Sequence, residues 1–298
     1  MSEYPLAATC SRPSASTAAC SRYRSRVGRF LLGGCGVNSD AAVGSGSTWL
    51  DCALDDKSMA RAIVISSTGP HFSAGLDLQA FAPADNLGGL TGDAAEKSKR
   101  QSGARFYSNV MHMQRSFSCL EECRIPILAA IQGGCIGGGV DLVTACDMRY
   151  ATEDAFLTIF EINVGMTADV GTFPRIVKLL PEGVVRELAY TGRRISAAEA
   201  QSLGLVNRVY ADHESLVSGV LELAREIASK PPLAVYGCKR MITYARDHTT
   251  ADGLDYIGIW NASMLQPAEM AESIQARAEK RDGNFADLPP IQRKLTRD

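Results

Sequence analysis

The chain predicts an α/β fold, with an α/β core over residues 51–195, a helical region over 196–298, and an atypical segment over 1–50. Three features carry this. Short β-rich apolar runs recur in the middle of the chain, an amphipathic helix stripe separates the first two, and the pattern beyond residue 172 is mostly helical.

The first strand is Arg61-Ala-Ile-Val-Ile-Ser66, a short β-rich apolar run bounded by Thr68-Gly69-Pro70. Residues 83–103 are polar, include Gly88, Gly89 and Gly92, and read as a mobile loop. Phe106, Val110, Met113, Phe117 and Leu120 then recur at steps of 4, 3, 4 and 3, the spacing of one helix face. Pro126–Ile131 is the next buried strand, and the glycine-rich turn 133–139 leads into a helix beginning near Val140. Met148–Ala151 and Phe156–Phe160 read as two further strands. Ser196-Ala-Ala-Glu199 has the form of a capping box, in which each side chain satisfies a backbone N–H left over at the helix start. Leu205–Tyr210 reads as a short strand, followed by a helix over 213–229 that Pro231-Pro232 ends, and then two more helical stretches.

Residues 1–39 hold five arginines but one acid, Glu3, among many Ser, Ala and Gly. Disordered arms, organelle transit segments and wrongly assigned starts all share that composition. The last four residues, Leu295-Thr-Arg-Asp298, are not an S-K-L-type peroxisomal address.

Composition excludes several classes of function. Lys+Arg 31 against Asp+Glu 33 leaves a net charge of −2, so no basic field favours nucleic acid. The longest apolar run, Ile125–Ile131, is seven residues, against the ~20 a membrane span needs. The nine cysteines form no C-x-x-C pair and no cysteine/histidine set with zinc spacing, so the chain predicts no metal and thiols in a reducing compartment. P-loop, dinucleotide-binding, H-E-x-x-H and G-x-S-x-G patterns do not occur. His71, His112, His213 and His248 are scattered and read as surface or capping residues. Carboxylates remain for proton transfer.

Two segments, each directly after a buried strand, read as backbone devices: His71-Phe-Ser-Ala-Gly-Leu-Asp-Leu78 and Gly133-Gly-Cys-Ile-Gly-Gly-Gly-Val-Asp141. Small residues admit a ligand to the main chain, and an N–H at a helix start carries the positive end of the dipole. One donor from each segment would make an oxyanion hole; tight strand-to-helix turns would look the same. Asp141, Glu161 and Asp169 each sit among apolar and small residues, where desolvation lifts a carboxyl pKa toward working pH.

These residues resemble the enoyl-CoA hydratase/isomerase (crotonase) superfamily. Gly134–Leu142, Ala145-Cys-Asp-Met-Arg-Tyr150 and Glu161-(x)3-Gly165-(x)3-Asp169-Val-Gly171 resemble its Δ3,5-Δ2,4-dienoyl-CoA isomerases, as do Tyr244–His248, Leu254–Tyr256 and Trp260–Gln266. The resemblance covers roughly residues 55–283. It implies a crotonase-like ββα superhelix with a helical C-terminal trimerisation region. Residues 1–50 lack the opening hairpin and Asn-Arg-Pro-like stretch of that superfamily, and Trp49–Asp56 reads as a remnant of its first helix. It implies that the amides of Ala74 and Gly138 hold a thioester oxygen. Asp169 would then remove a proton at C2, Glu161 deliver one at C6, and Asp141 assist electrostatically. The implied reaction converts a 3,5-dienoyl-CoA to a 2,4-dienoyl-CoA in the breakdown of unsaturated fatty acids. An acyl-CoA substrate, no cofactor, a homotrimer or homohexamer and a mitochondrial or peroxisomal matrix location follow with it. A Δ3,Δ2-enoyl-CoA isomerase, a hydratase, or an inactive binding protein on the same fold are the alternatives.

Overall fold

The computed structural model describes residues 7–9, 27–32, 55, 58, 60–75 and 93–291, with only the backbone for 7–9, 27–32 and 93–102. The main sheet has six strands, all parallel, in the order β1 (Ala7–Thr9), β2 (Val27–Leu32), β3 (Ala62–Ser67), β4 (Ile127–Ile131), β6 (Met148–Thr152), β9 (Arg208–Tyr210). A second sheet of three strands holds β5 (Gly134–Ile136), β7 (Phe156–Thr158) and β8 (Ile195–Ser196), with β5 and β7 parallel and β8 antiparallel to β7.

Why Ala62–Ile65 of β3 and all of β4 are apolar is visible in the packing. Side chains alternate across a strand, and here both faces are covered. Ile63, Ile65, Ile127, Ala129 and Ile131 enter one core, together with Phe117 and Leu120. Ala62, Val64, Leu128 and Ala130 enter the other, against Leu216, Val220 and Ala224. Those last three lie at i, i+4 and i+8 on α6 (His213–Ala228), so one helix face closes the back of the sheet. A parallel sheet buried on both faces leaves no position for an alternating polar residue.

The remaining helices are α1 (Asp93–Glu122), α2 (Gly138–Ala145), α3 (Thr172–Ile176), α4 (Glu182–Thr191), α5 (Ala197–Ser202), α7 (Pro232–Ala245), α8 (Thr250–Met264) and α9 (Pro267–Ala278). None among the described residues is long and apolar enough to cross a membrane.

Several sequence expectations need correction. Residues 93–103 are the first turns of α1, not loop. They lack an apolar stripe but are rich in Ala, Glu, Lys, Arg and Gln, good helix formers that a packed downstream helix can extend through. Residues 83–92 lie outside the described residues. β7 stops at Thr158, and Phe160–Val164 forms a 3-10 turn closed by Gly165 at φ 75°. Three helices, not two, follow α6, because Thr249 and Asp252 build a capping box and Pro267 starts another helix. Ser196 accepts from the Glu199 amide, but the Glu199 carboxylate turns to Arg193 instead of closing its half of the box. The first fifty residues contribute β1 and β2, which no sequence pattern announced; their other residues, and with them the disordered or transit-like reading, lie outside the described residues. Of Trp49–Asp56 only Asp55 is described. It is buried, and it accepts from the Arg124 amide at 2.9 Å and Nε at 2.8 Å.

Two buried cations close element ends. Arg149 donates to the carbonyls of Val143 and Cys146 at the end of α2, and to Leu205 O. Lys239 Nζ reaches Leu120 O at 2.8 Å, Ile125 O at 3.1 Å and Asp147 Oδ2 at 2.8 Å, while Asp147 Oδ2 also accepts from the Ile127 amide. Carbonyls at a helix end must find donors when buried, and α1 finds one on α7.

Candidate active site

The chain leaves β3, bends at residues 68–70, and continues as residues 71–75 alongside and parallel to the glycine-rich turn. Three main-chain bonds join the two segments: Phe72 N to Gln132 O at 2.8 Å, Ser73 N to Gly134 O at 3.0 Å, and Ile136 N to Ser73 O at 3.1 Å. A fourth uses a side chain. His71 Nδ1 accepts from the Gly134 amide at 2.9 Å, so this histidine caps a strand, the role read from the sequence. Close approach requires glycine twice. A β-carbon on Gly139 would stand 2.8 Å from Ser73 Cβ, and one on Gly133 would stand 2.3 Å from Pro70 O.

Ala74 and Gly138 therefore lie in adjoining turns. Ala74 is exposed, between Ser73, whose amide is used, and Gly75 at φ 86°, whose amide donates to Ser73 Oγ. Gly138 opens α2 behind Gly137 at φ 53°, so its amide precedes the first intrahelical acceptor. Neither amide has an acceptor among the described residues.

The three carboxylates arrive from three elements. Asp141 sits in the first turn of α2 and is 1% exposed. Its Oδ1 accepts from the Thr172 amide at 2.6 Å and the Thr172 hydroxyl at 2.8 Å. Burial pushes its pKa up to about 6, against the lowering effect of the Thr172 bonds and the Arg175 charge. Glu161 projects from the 3-10 turn, and its Oε1 lies 3.1 Å from where a β-carbon on Gly137 would stand. Its Oε2 is buried without a hydrogen-bond partner among the described residues. Desolvation raises Glu161 to about 7, a bond to its own backbone lowers it, and the charges of Asp141 and Asp169 raise it further. Asp169 is half-buried just before α3, with its pKa also raised by desolvation. The Asp169 charge raises the pKa of both other acids, so it lies within electrostatic range of them, and Glu161 stands beside Gly137.

Glu161 near 7 is poised to give or take a proton at neutral pH. Asp141 is enclosed, with one carboxylate oxygen held by Thr172. Sequence reasoning missed Thr172, Gln114 and Arg175. Thr172 leaves no periodic signature. Gln114 and Arg175 read as ordinary polar residues until the 169–172 loop is seen between them. No group of three or more histidine, cysteine or acidic side chains among the described residues could hold a metal.

Known proteins share this arrangement of chain. The enoyl-CoA hydratase/isomerase family matches residues 50–288. A human protein named mitochondrial Δ(3,5)-Δ(2,4)-dienoyl-CoA isomerase is 44% identical over 225 residues, which cover 74% of this chain and 66% of the human protein. The chain thus spans slightly under two thirds of that relative. The Arabidopsis thaliana protein of the same name, peroxisomal, is 38% identical over 79% of this chain and 83% of its own length. Among solved structures, a Thermobifida fusca protein of the enoyl-CoA hydratase type in complex with CoA is 28% identical. It superposes with a TM-score of 0.68, covering 83% of this chain and 91% of that one. Together with the paired turns and the acids beside them, these matches make the chain a member of the enoyl-CoA hydratase/isomerase family.

Proposed function

We propose that the protein isomerises 3,5-dienoyl-CoA to 2,4-dienoyl-CoA, with Asp169 and Glu161 as the proton-transfer pair. The observation that carries this reading is the third carboxylate. The reading is supported by the charge of Asp169 acting on Glu161 and Asp141, and by human and plant relatives named for this reaction that are 44% and 38% identical to the chain.

Removing the C2 proton places negative charge on the thioester oxygen. The amides of Ala74 and Gly138, fixed before the reaction, would stabilise that charge as it develops; one such donor is worth roughly 3–4 kcal/mol of barrier. The electrons of the C2–H bond spread along the conjugated chain, so reprotonation at C6 completes a transposition with no net change in atoms. Asp169 takes the first proton and Glu161 supplies the second. Glu161 is suited to the second role because burial keeps much of it protonated near neutral pH. Asp141 adds a fixed negative field beside the pair. Acids and amides suffice for this chemistry, so a resident cofactor has no step to perform.

The reading extends to assembly and location. Leu254, Ile259, Leu265 and Ile274 on and between α8 and α9 are 55–70% exposed, apolar side chains that burial between copies in a trimer or hexamer would cover. A mitochondrial or peroxisomal matrix is proposed from the compartments in the relatives' names.

Purified protein is assayed with 3,5-dienoyl-CoA and with 2-enoyl-CoA. Isomerisation of the first is expected to dominate, and Asp169→Asn and Glu161→Gln each to lower kcat by about 10²–10⁴-fold while acyl-CoA still binds. Preferential hydration of 2-enoyl-CoA, or near-normal rates in both variants, rejects the assignment.

A further inference from the structure

Helix α1 carries a polar stripe immediately beside its apolar one. Val110, Met113, Phe117 and Leu120 pack on the core, and Gln114, Ser118 and Glu121 follow at steps of 4 and 3 on the adjoining face. Each of the three polar residues engages the segment 169–175. Gln114 Nε2 donates to Asp169 O at 2.7 Å. Arg175 donates to Ser118 Oγ at 3.1 Å and to Glu121 Oε2 at 2.7 Å, and its Nη1 reaches Gly171 O at 3.3 Å. Gly171 stands at φ 138°, and a β-carbon there would lie 1.8 Å from Arg175 Nη1, so the guanidinium rests directly on the loop. From the other side, Asp141 accepts the amide of Thr172.

The loop before α3 is therefore tied at positions 169, 171 and 172. The first tie comes straight from α1, the second through Arg175, and the third from α2. The first two ties fall on main-chain carbonyls, so α1 sets where the Asp169 side chain begins without occupying its carboxylate. From this geometry we infer that Gln114 is a positioning residue that holds Asp169 in register with Glu161. The inference rests on the reading of Asp169 as a proton-transfer acid. A helix locked by its own apolar stripe is a rigid mount, and a displacement of about 1 Å at a reacting group can cost about 100-fold in rate.

Gln114 is the residue to test, because Arg175 is buried and also acts on Asp141. Gln114→Leu keeps the bulk and removes the donor. The variant is expected to lose about 10–100-fold in kcat on 3,5-dienoyl-CoA, with KM within about two-fold of wild type. Combined with Asp169→Asn it should add no further loss, since a residue acting through Asp169 has nothing left to position. Hydrogen–deuterium exchange of the peptide spanning 169–172 should quicken in Gln114→Leu, while the peptide holding Glu161 stays as in wild type. An unchanged kcat, a loss that multiplies with that of Asp169→Asn, or unchanged exchange at 169–172 overturns the inference. Should wild-type protein fail to turn over 3,5-dienoyl-CoA, the proposed reaction falls by itself, and exchange alone then decides for or against the Gln114 grip.

Discussion

Thr172 donates both its amide and its hydroxyl to a single oxygen of Asp141, at 2.6 and 2.8 Å. Both bonds favour the ionised carboxylate that burial disfavours. Thr172→Val removes one of them. Where Asp141 is charged, above about 6, the loss is expected to cost about 1.5–3 kcal/mol. At pH 5 Asp141 is mostly protonated and the cost shrinks. Denaturant unfolding at pH 8 and pH 5 checks this; an equal deficit at both would show that the hydroxyl does not discriminate between the charged and neutral acid.

Gly137 meets two demands at once. Its φ of 53° disfavours any side chain, and a β-carbon would approach Glu161 Oε1 to 3.1 Å. Gly137→Ala is expected to cost about 1–3 kcal/mol in stability from backbone strain. It should also lower kcat by more than ten-fold by shifting the acid. Activity and thermal unfolding are measured together; a stable variant with wild-type kcat would mean that Glu161 tolerates displacement.

Glu161 also makes stability depend on pH. Its folded pKa, about 7, is raised above the ordinary carboxylate value of 4.5, so the native state binds more protons than the unfolded chain between those values. Stability from this group is full below about 4.5 and is lost as pH rises through about 7. Glu161→Gln has no such titration. Relative to wild type, the variant should gain on the order of 2 kcal/mol between pH 4 and pH 8, a figure reduced for partial exposure. Parallel stability–pH curves for the two proteins would contradict the raised pKa.

The features legible in the sequence are those with a local cause. β3 and β4 show as apolar runs because both their faces are buried, and the adjoining turns show as glycine clusters because main chains touch there. The grouping of Asp141, Glu161 and Asp169 is different in kind. They ride on α2, a 3-10 turn and the approach to α3, and only tertiary packing brings those together. β2 stayed hidden because six residues within an Arg-, Ser- and Gly-rich stretch carry little periodic signal. The start of α1 stayed hidden because a helix extending past its packed face loses the apolar stripe by which helices are recognised.

Lys239 has a consequence for anyone who would divide the chain. Its ammonium arrives from α7, more than a hundred residues downstream of the Leu120 and Ile125 carbonyls it satisfies. A version ending after Lys230 would strand those buried carbonyls and leave the Asp147 carboxylate without its ammonium partner. Leaving a buried acceptor unsatisfied typically costs about 1–3 kcal/mol, and here the loosened end belongs to the helix whose Gln114 donates to Asp169 O. The distal helices thus help to hold the end of α1, and a fragment that keeps this packing has to run past residue 239.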